Sequence, residues 1–174
     1  MMLSTKTEPF SSSERSEMFE IMRDAYARTE LEIWGENYVR MPQTEYENLI
    51  DDGKIIAATL NGRIVGTIYS YQLDQETSSF GLLGVHRDFE GRGIGRKLIE
   101  AVEEKAQLQG SNYMNIEILR PRDFKVPLKD RLRAWYEGMG YVFTHDQNFQ
   151  ERRPIRAKDL KVPSVFDCYQ KRLG

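Results

Sequence analysis

Three glycines at alternate positions stand near the middle of the chain, in the run E-G-R-G-I-G-R-K-L from Glu90 to Leu98. Ahead of them, Ser79 to Val85 reads as a β-strand. Behind them, Ile94, Leu98, Ala101, Val102 and Leu108 share one stripe of a helix that Gly110 closes. The chain must therefore pass abruptly from strand to helix, with bare backbone at the helix mouth. The first N–H groups of a helix have no intrahelical partner and carry about half a positive charge. With no Cβ in the way, glycine lets a bulky anion come close to them. Gly91, Gly93 and Gly95 thus read as a phosphate cradle, with Arg92 and Arg96 or Lys97 adding charge at the rim. A tight turn that holds no ligand is the competing reading.

Spacing excludes two common phosphate-binding patterns. The pattern G-x-x-x-x-G-K-[ST] fails because Leu98 follows Lys97, after the wrong glycine interval. The dinucleotide pattern G-x-G-x-x-G would need glycine at position 96 or 98, where Arg96 and Leu98 stand.

Elsewhere the elements alternate. Ser11 to Glu14 starts a helix that runs to about Thr29, with Met18, Ile21, Met22, Ala25 and Tyr26 at helical spacing. A short helix is expected from Gln43 to Ile50, and a turn at Asp51 to Gly53. Asn61-Gly62 between two β-prone runs signals a hairpin. Tyr113 to Leu119 is a strand, Lys129 to Met139 a helix, and Tyr141 to Phe143 and Val165 to Arg172 closing strands. The segment from Glu30 to Gln43 has no clear pattern. The order is mixed α/β in one domain over residues 1–174, a size that supports a real core.

Composition narrows the function classes. A net charge of -2 argues against a dedicated nucleic-acid binder. One cysteine and two histidines argue against a structural metal site or an internal disulfide. The N-terminus has no apolar run that suggests a leader or a membrane span, so a cytoplasmic protein is the expectation.

The run L-G-V-H-R-D-F-E-G-R-G-I-G-R-K-L resembles the acyl-CoA-binding motif of the GNAT superfamily of N-acyltransferases, in which a valine-ending strand meets [Gln/Arg]-x-x-Gly-x-[Gly/Ala] and a helix. Val85, Gly93 and Gly95 take the motif positions. Glu90 stands where Gln or Arg is usual, and Arg87 where proline is frequent; both are departures. A-W-Y-E-G-M-G-Y is similar to the family's Tyr-x-x-x-Gly-[Phe/Tyr] pattern, with Tyr136, Gly140 and Tyr141 on it. The resemblance covers roughly residues 10 to 145. It implies an α/β (α+β) fold with a central mixed β-sheet flanked by helices.

It also implies acetyl transfer from acetyl-CoA, as co-substrate, to a primary amine of a small molecule, by direct attack in a ternary complex. A non-catalytic acyl-CoA-binding sensor is the alternative. The implied coenzyme-binding residues are Leu83, Val85, Glu90, Gly91, Arg92, Gly93, Ile94, Gly95, Arg96 and Tyr136. Tyr136 would stabilise the departing thiolate, and the Val85 backbone N–H would meet the oxyanion. Glu117 is the candidate general base, with Glu30, Glu32 and Glu36 as competitors. His86 reads as a loop residue and Cys168 as a half-buried strand residue rather than a nucleophile. No metal, nucleic acid or membrane is implied, and a homodimer is compatible with the family. The segments from Arg120 to Asp130 and from Gln150 to Pro163 match nothing in it. Their arginines, Arg120, Arg122, Arg152, Arg153 and Arg156, suggest an acceptor that carries an acid group, such as an amino acid.

Overall fold

The computed structural model describes residues 2–174. The chain opens with a short strand, β1 (Leu3–Lys6), which no sequence signal announced. Helix α1 (Ser12–Thr29) begins at a capping box: the Ser11 hydroxyl accepts from Glu14 N at 3.1 Å, and the Glu14 carboxylate accepts from Ser11 N at 2.8 Å. Two further helices follow, α2 (Leu31–Trp34) and α3 (Gln43–Asp51). Strands β2 (Ile55–Leu60) and β3 (Arg63–Gln72) form the expected hairpin. Asn61 and Gly62 adopt φ of +52° and +81°, the left-handed pair that a two-residue turn requires.

Next come β4 (Thr77–Val85), a 3-10 turn (Arg87–Phe89), α4 (Ile94–Leu108) and β5 (Tyr113–Pro121). Helix α5 (Pro127–Gly138) starts two residues earlier than the spacing predicts, with proline in its first turn, where no N–H is needed. Strand β6 (Val142–Asn148) extends well past Phe143. A short helix α6 (Phe149–Arg152), a 3-10 turn (Arg156–Asp159) and β7 (Ser164–Arg172) complete the chain. None of the described helices is long and apolar enough to cross a membrane.

The strands form one sheet in the order β1-β2-β3-β4-β5-β7-β6. Neighbours are antiparallel except β4 and β5. This parallel pair touches only at Thr77↔Tyr113, Ser78↔Met114 and Ser79↔Asn115. Beyond Ser79 the two strands part, and β4 continues to Val85 against β3 alone. A bulge lies within the parting stretch of β4. Tyr69 pairs with Gly81 and Thr67 with Gly84, so Leu82 and Leu83 both face Ile68, and Leu82 takes φ +50°. A bulge bends its strand and increases the local twist, which carries β4 away from β5.

One sheet face packs Ile68, Phe80 and Met114 against Leu98, Ile99 and Val102 of α4. The other packs Ile55, Ala57 and Leu82 against Met18 and Met22 of α1 and Tyr46 and Ile50 of α3. Each buried aliphatic side chain of this kind contributes roughly 1.5–3 kcal/mol. Leu108, placed on the α4 stripe by its spacing, is instead 83% exposed at the helix end. A third cluster joins Ile33 and Trp34 of α2 to Leu119, Phe149, Phe166 and Cys168. Trp34 stacks on Tyr38 at 4.6 Å and meets Phe149 edge-on at 5.5 Å, and Lys161 N donates to Ile33 O at 2.8 Å. The segment between β6 and β7 is thus a packed wall over α2, made by contacts remote in sequence.

Candidate active site

The glycine stretch sits at the end of β4. His86 Nδ1 accepts from Asp88 N at 3.1 Å, which holds the 3-10 turn. Gly91 and Gly93 adopt φ of +76° and +78°, and Gly93 is the N-cap of α4. A Cβ at either position would meet no protein atom within 4 Å, so the space before the helix mouth is open. Gly95 lies inside the first helical turn, where a Cβ would come within 3.0 Å of the Trp135 ring. Its small size thus also lets α5 pack closely, and its N–H stays at the helix mouth. The Ile94 side chain is likewise buried in the core, leaving only its N–H for the cradle. Arg92 lies over the Phe89 ring at 5.0 Å, and Arg92 and Arg96 are both exposed at the rim. Glu90, the departure from the motif, is paired with Arg28 of α1.

Where β4 and β5 separate, a cavity of about 650 Å³ passes between them. On the α5 side it is bordered by Tyr136; on the α1 side, by Glu117. Ser79 pairs with Asn115, so Gly81 and Glu117, two residues further along, face each other across the gap. The bulge from Gly81 to Leu83 forms the β4 wall. Val85 lies beyond it, toward the cradle. His86 N donates to Val65 O at 2.9 Å, so by antiparallel alternation both backbone groups of Val85 point away from β3. Its carbonyl accepts from Arg28 Nη2 at 3.3 Å.

Tyr136 is buried, and burial, reinforced by nearby Tyr26, pushes its hydroxyl well above the ordinary phenol range. It remains protonated at physiological pH and so can donate a hydrogen bond. Burial also pushes Tyr26 up, against the opposing pull of Arg40 and of the Leu82 and Leu83 amides beside its hydroxyl.

The carboxylates divide clearly. Glu117 Oε2 lies 2.5 Å from Arg152 Nη1, with both side chains partly exposed; Glu117 borders the cavity and Arg152 does not. Glu30 is 3% exposed and bonded to Lys129 at 2.8 Å, Trp34 Nε1 at 3.0 Å and Arg40 at 3.2 Å. Burial alone would raise its pKa, but Lys129 and Arg40 outweigh it and hold the carboxyl below its ordinary range. Such a carboxylate is a weak base already committed to partners. Glu32 and Glu36 are exposed and do not border the cavity.

The arginines divide too. Arg120 Nε lies 2.6 Å from the buried Asp167, which Arg133 also holds at 3.0 Å. Arg122 pairs with Asp123 on the surface at 3.1 Å. Neither borders the cavity; Arg153 and Arg156 do. Cys168, on β7 opposite Glu117, is 8% exposed, more deeply buried than expected. Burial, then Glu117, pushes its thiol up, so it is a poor nucleophile. No group of His, Cys, Asp and Glu side chains among the described residues could hold a metal ion.

An open left-handed glycine turn at a helix mouth, just past the end of the strand whose parting from β5 opens the slot, suits a long ligand with a pyrophosphate at one end. That is the shape of acetyl-CoA. A model of the acetyltransferase (GNAT) family matches residues 16–141, and the chain belongs to that family. An acetyltransferase of Pectobacterium atrosepticum is 30% identical over 93 residues, covering 52% of this chain and 65% of that protein. An acetyltransferase of Yersinia pestis strain Pestoides F matches equally, at 30% over 93 residues, 52% of this chain and 65% of its own. The match spans just under two thirds of the length of these relatives. Among solved structures, Ard1 from Thermoplasma volcanium superposes with a TM-score of 0.70 at 16% identity, covering 99% of this chain and 98% of its own. A GNAT family acetyltransferase from Elizabethkingia anophelis, solved with acetyl-CoA bound, gives 0.65 at 15% identity with 98% of each chain covered. At such identities the likeness is one of fold.

Proposed function

We propose that this chain transfers the acetyl group of acetyl-CoA directly to the primary amine of a small molecule that also carries a carboxylate. One observation carries this reading: the cavity runs through the sheet, with Tyr136 on one side and Glu117 on the other. Donor and acceptor can then meet from opposite faces without a covalent relay, and Cys168 is not needed.

The residues divide the work. Gly91 and Gly93 with the α4 mouth hold the pyrophosphate, and Leu83 and Val85 line the way to the cleft. When bound, acetyl-CoA supplies an acyl carbon activated as a thioester. Glu117, oriented by Arg152, accepts the proton of the attacking amine at a carboxylate oxygen. The Val85 N–H, which points away from β3, would meet the carbonyl oxygen, as the family resemblance implies. Tyr136 donates its hydroxyl hydrogen bond to the departing sulfur. Each positioned proton-handling group of this kind contributes roughly 10²–10⁴-fold in rate.

The acceptor's carboxylate meets Arg153 and Arg156. Arg156 is fixed by the Tyr38 hydroxyl at 3.2 Å and by the Trp34 face at 5.0 Å. A neighbour in fold lends support: N-acetylglutamate synthase from Neisseria gonorrhoeae, 36% of which this chain covers, was solved with coenzyme A and N-acetyl-glutamate. The test is thiol release from acetyl-CoA across amino acids, polyamines, aminosugars and their decarboxylated analogues. Amino acids should outperform their decarboxylated counterparts, and Arg153→Ala or Arg156→Ala should raise KM for them selectively. A clear preference for polyamines would overturn the carboxylate assignment.

A further inference from the structure

Four side chains form an apolar wall along the acceptor side of the cavity: Tyr69 and Tyr71 of β3, Met41, and Leu49 of α3. All four are partly exposed, although the sheet face beside them is covered by α1 and α3. The two tyrosine rings are stacked, with centroids 4.9 Å apart and planes at 24°. In register, Tyr69 stands opposite Gly81 and Tyr71 opposite Ser79. A Cβ on Gly81 would meet nothing within 4 Å, so the floor beneath the wall is bare. Uncovered apolar surface inside a polar-rimmed cleft marks a place that a ligand covers.

The sheet lays out the ligand's parts in order. Paired strands lie about 4.8 Å apart, which sets the step from β4 to β3, while β5 stands across the gap on the other side. The reacting amine belongs over Gly81 beside Glu117, and the carboxylate toward Arg153 and Arg156 on the β7 side. The remaining direction, toward β3, leads to the tyrosine wall one strand away, roughly 5 Å. A ring on the β-carbon of an α-amino acid spans that step, whereas a methyl group does not. Exposed Glu45 at the same end opposes a second carboxylate on the side chain.

We infer that the acceptor is a free α-amino acid with an aromatic side chain, its ring stacked on the Tyr69–Tyr71 wall above Gly81. The inference rests on the acetyl-transfer reading above. The test compares phenylalanine, alanine, glutamate and a phenylalanyl peptide as acceptors with acetyl-CoA. In parallel, calorimetry measures phenylalanine and alanine binding to the coenzyme A-loaded protein. Phenylalanine should exceed alanine about tenfold or more in kcat/KM and in affinity, as expected for a stacked, buried ring. Tyr71→Ala should cut that ratio below about threefold, with Tyr71→Leu intermediate. Alanine or glutamate matching phenylalanine, a ratio unchanged in both variants, or a peptide outperforming the free amino acid would each overturn the proposal. Failure of every amine to be acetylated would instead sink the acetyl-transfer reading, and the calorimetric ratio would then decide the side-chain assignment alone.

Discussion

Arg28 on α1 and Glu90 at the lip of the phosphate cradle form an ion pair, Nη1 to Oε1 at 2.6 Å, across 62 positions of sequence. Arg28 is held in place by Asp24 at 2.9 Å and by the Val85 carbonyl at 3.3 Å. The acid that departs from the family motif is therefore neutralised by a cation from another element. On the proposed reading, a pyrophosphate arriving there would meet a paired carboxylate rather than a bare one.

Removing Arg28 should expose that acid. Arg28→Ala is expected to weaken acetyl-CoA binding about fivefold, or ~1 kcal/mol, a modest effect because Glu90 is more than half exposed. Adding Glu90→Gln should restore most of the affinity and flatten its salt dependence. Isothermal titration of the wild type, both single variants and the double variant measures the coupling. A double variant as weak as Arg28→Ala would show that Arg28 acts on the coenzyme by itself.

Gly93→Val tests the cradle directly. The new side chain meets no protein atom but enters the ligand's space, in a left-handed conformation that costs a branched residue at least ~1–2 kcal/mol. Acetyl-CoA affinity should fall more than about tenfold, while the melting temperature drops by only several degrees. Unchanged affinity in a folded variant would remove the phosphate from this turn.

Tyr136→Phe keeps the ring against Phe80 and Tyr141 and removes the donor. We expect kcat to fall on the order of 10²-fold with coenzyme affinity nearly intact. Equal kcat values would make Tyr136 a packing residue.

Glu117→Gln should lower kcat/KM by about 10²-fold or more while leaving acetyl-CoA affinity in place. An unchanged kcat/KM would move the base elsewhere.

Glu30 predicts a stability effect with a defined pH direction. Its carboxyl is depressed below the ordinary 4.5, so its contribution is fully present above that value and disappears as the pH falls through the folded-state pKa. Glu30→Gln leaves Lys129 buried without its countercharge and should cost about 3 kcal/mol at neutral pH. Denaturant midpoints at pH 7 and pH 3 should show that difference shrinking in acid. A constant difference would mean that packing, not charge, is what the substitution disturbs.

The features legible in the sequence are those whose physical cause is local. A left-handed turn demands glycine at Gly91 and Gly93 whatever surrounds it, the Asn61-Gly62 hairpin is fixed by its own dihedrals, and α1 and α4 declare themselves through helical spacing. Together with the tyrosine pattern around Tyr136, these carried the fold class and the cradle. What the tertiary structure decided depends on partners far along the chain. The packing of Trp135 against Gly95 is invisible until α5 is placed, and Arg120 looks free until β7 brings up Asp167, 47 residues away. Glu30 meets Lys129 across 99 residues, which turns a candidate base into a buried ion pair. Residues 149–163 have no periodicity of their own, because their order comes from packing on Trp34 and Phe166. The slot between β4 and β5 arises from a bulge that no side-chain pattern encodes, since Leu82 in a left-handed conformation is tolerated only where the neighbouring strand and α1 hold it.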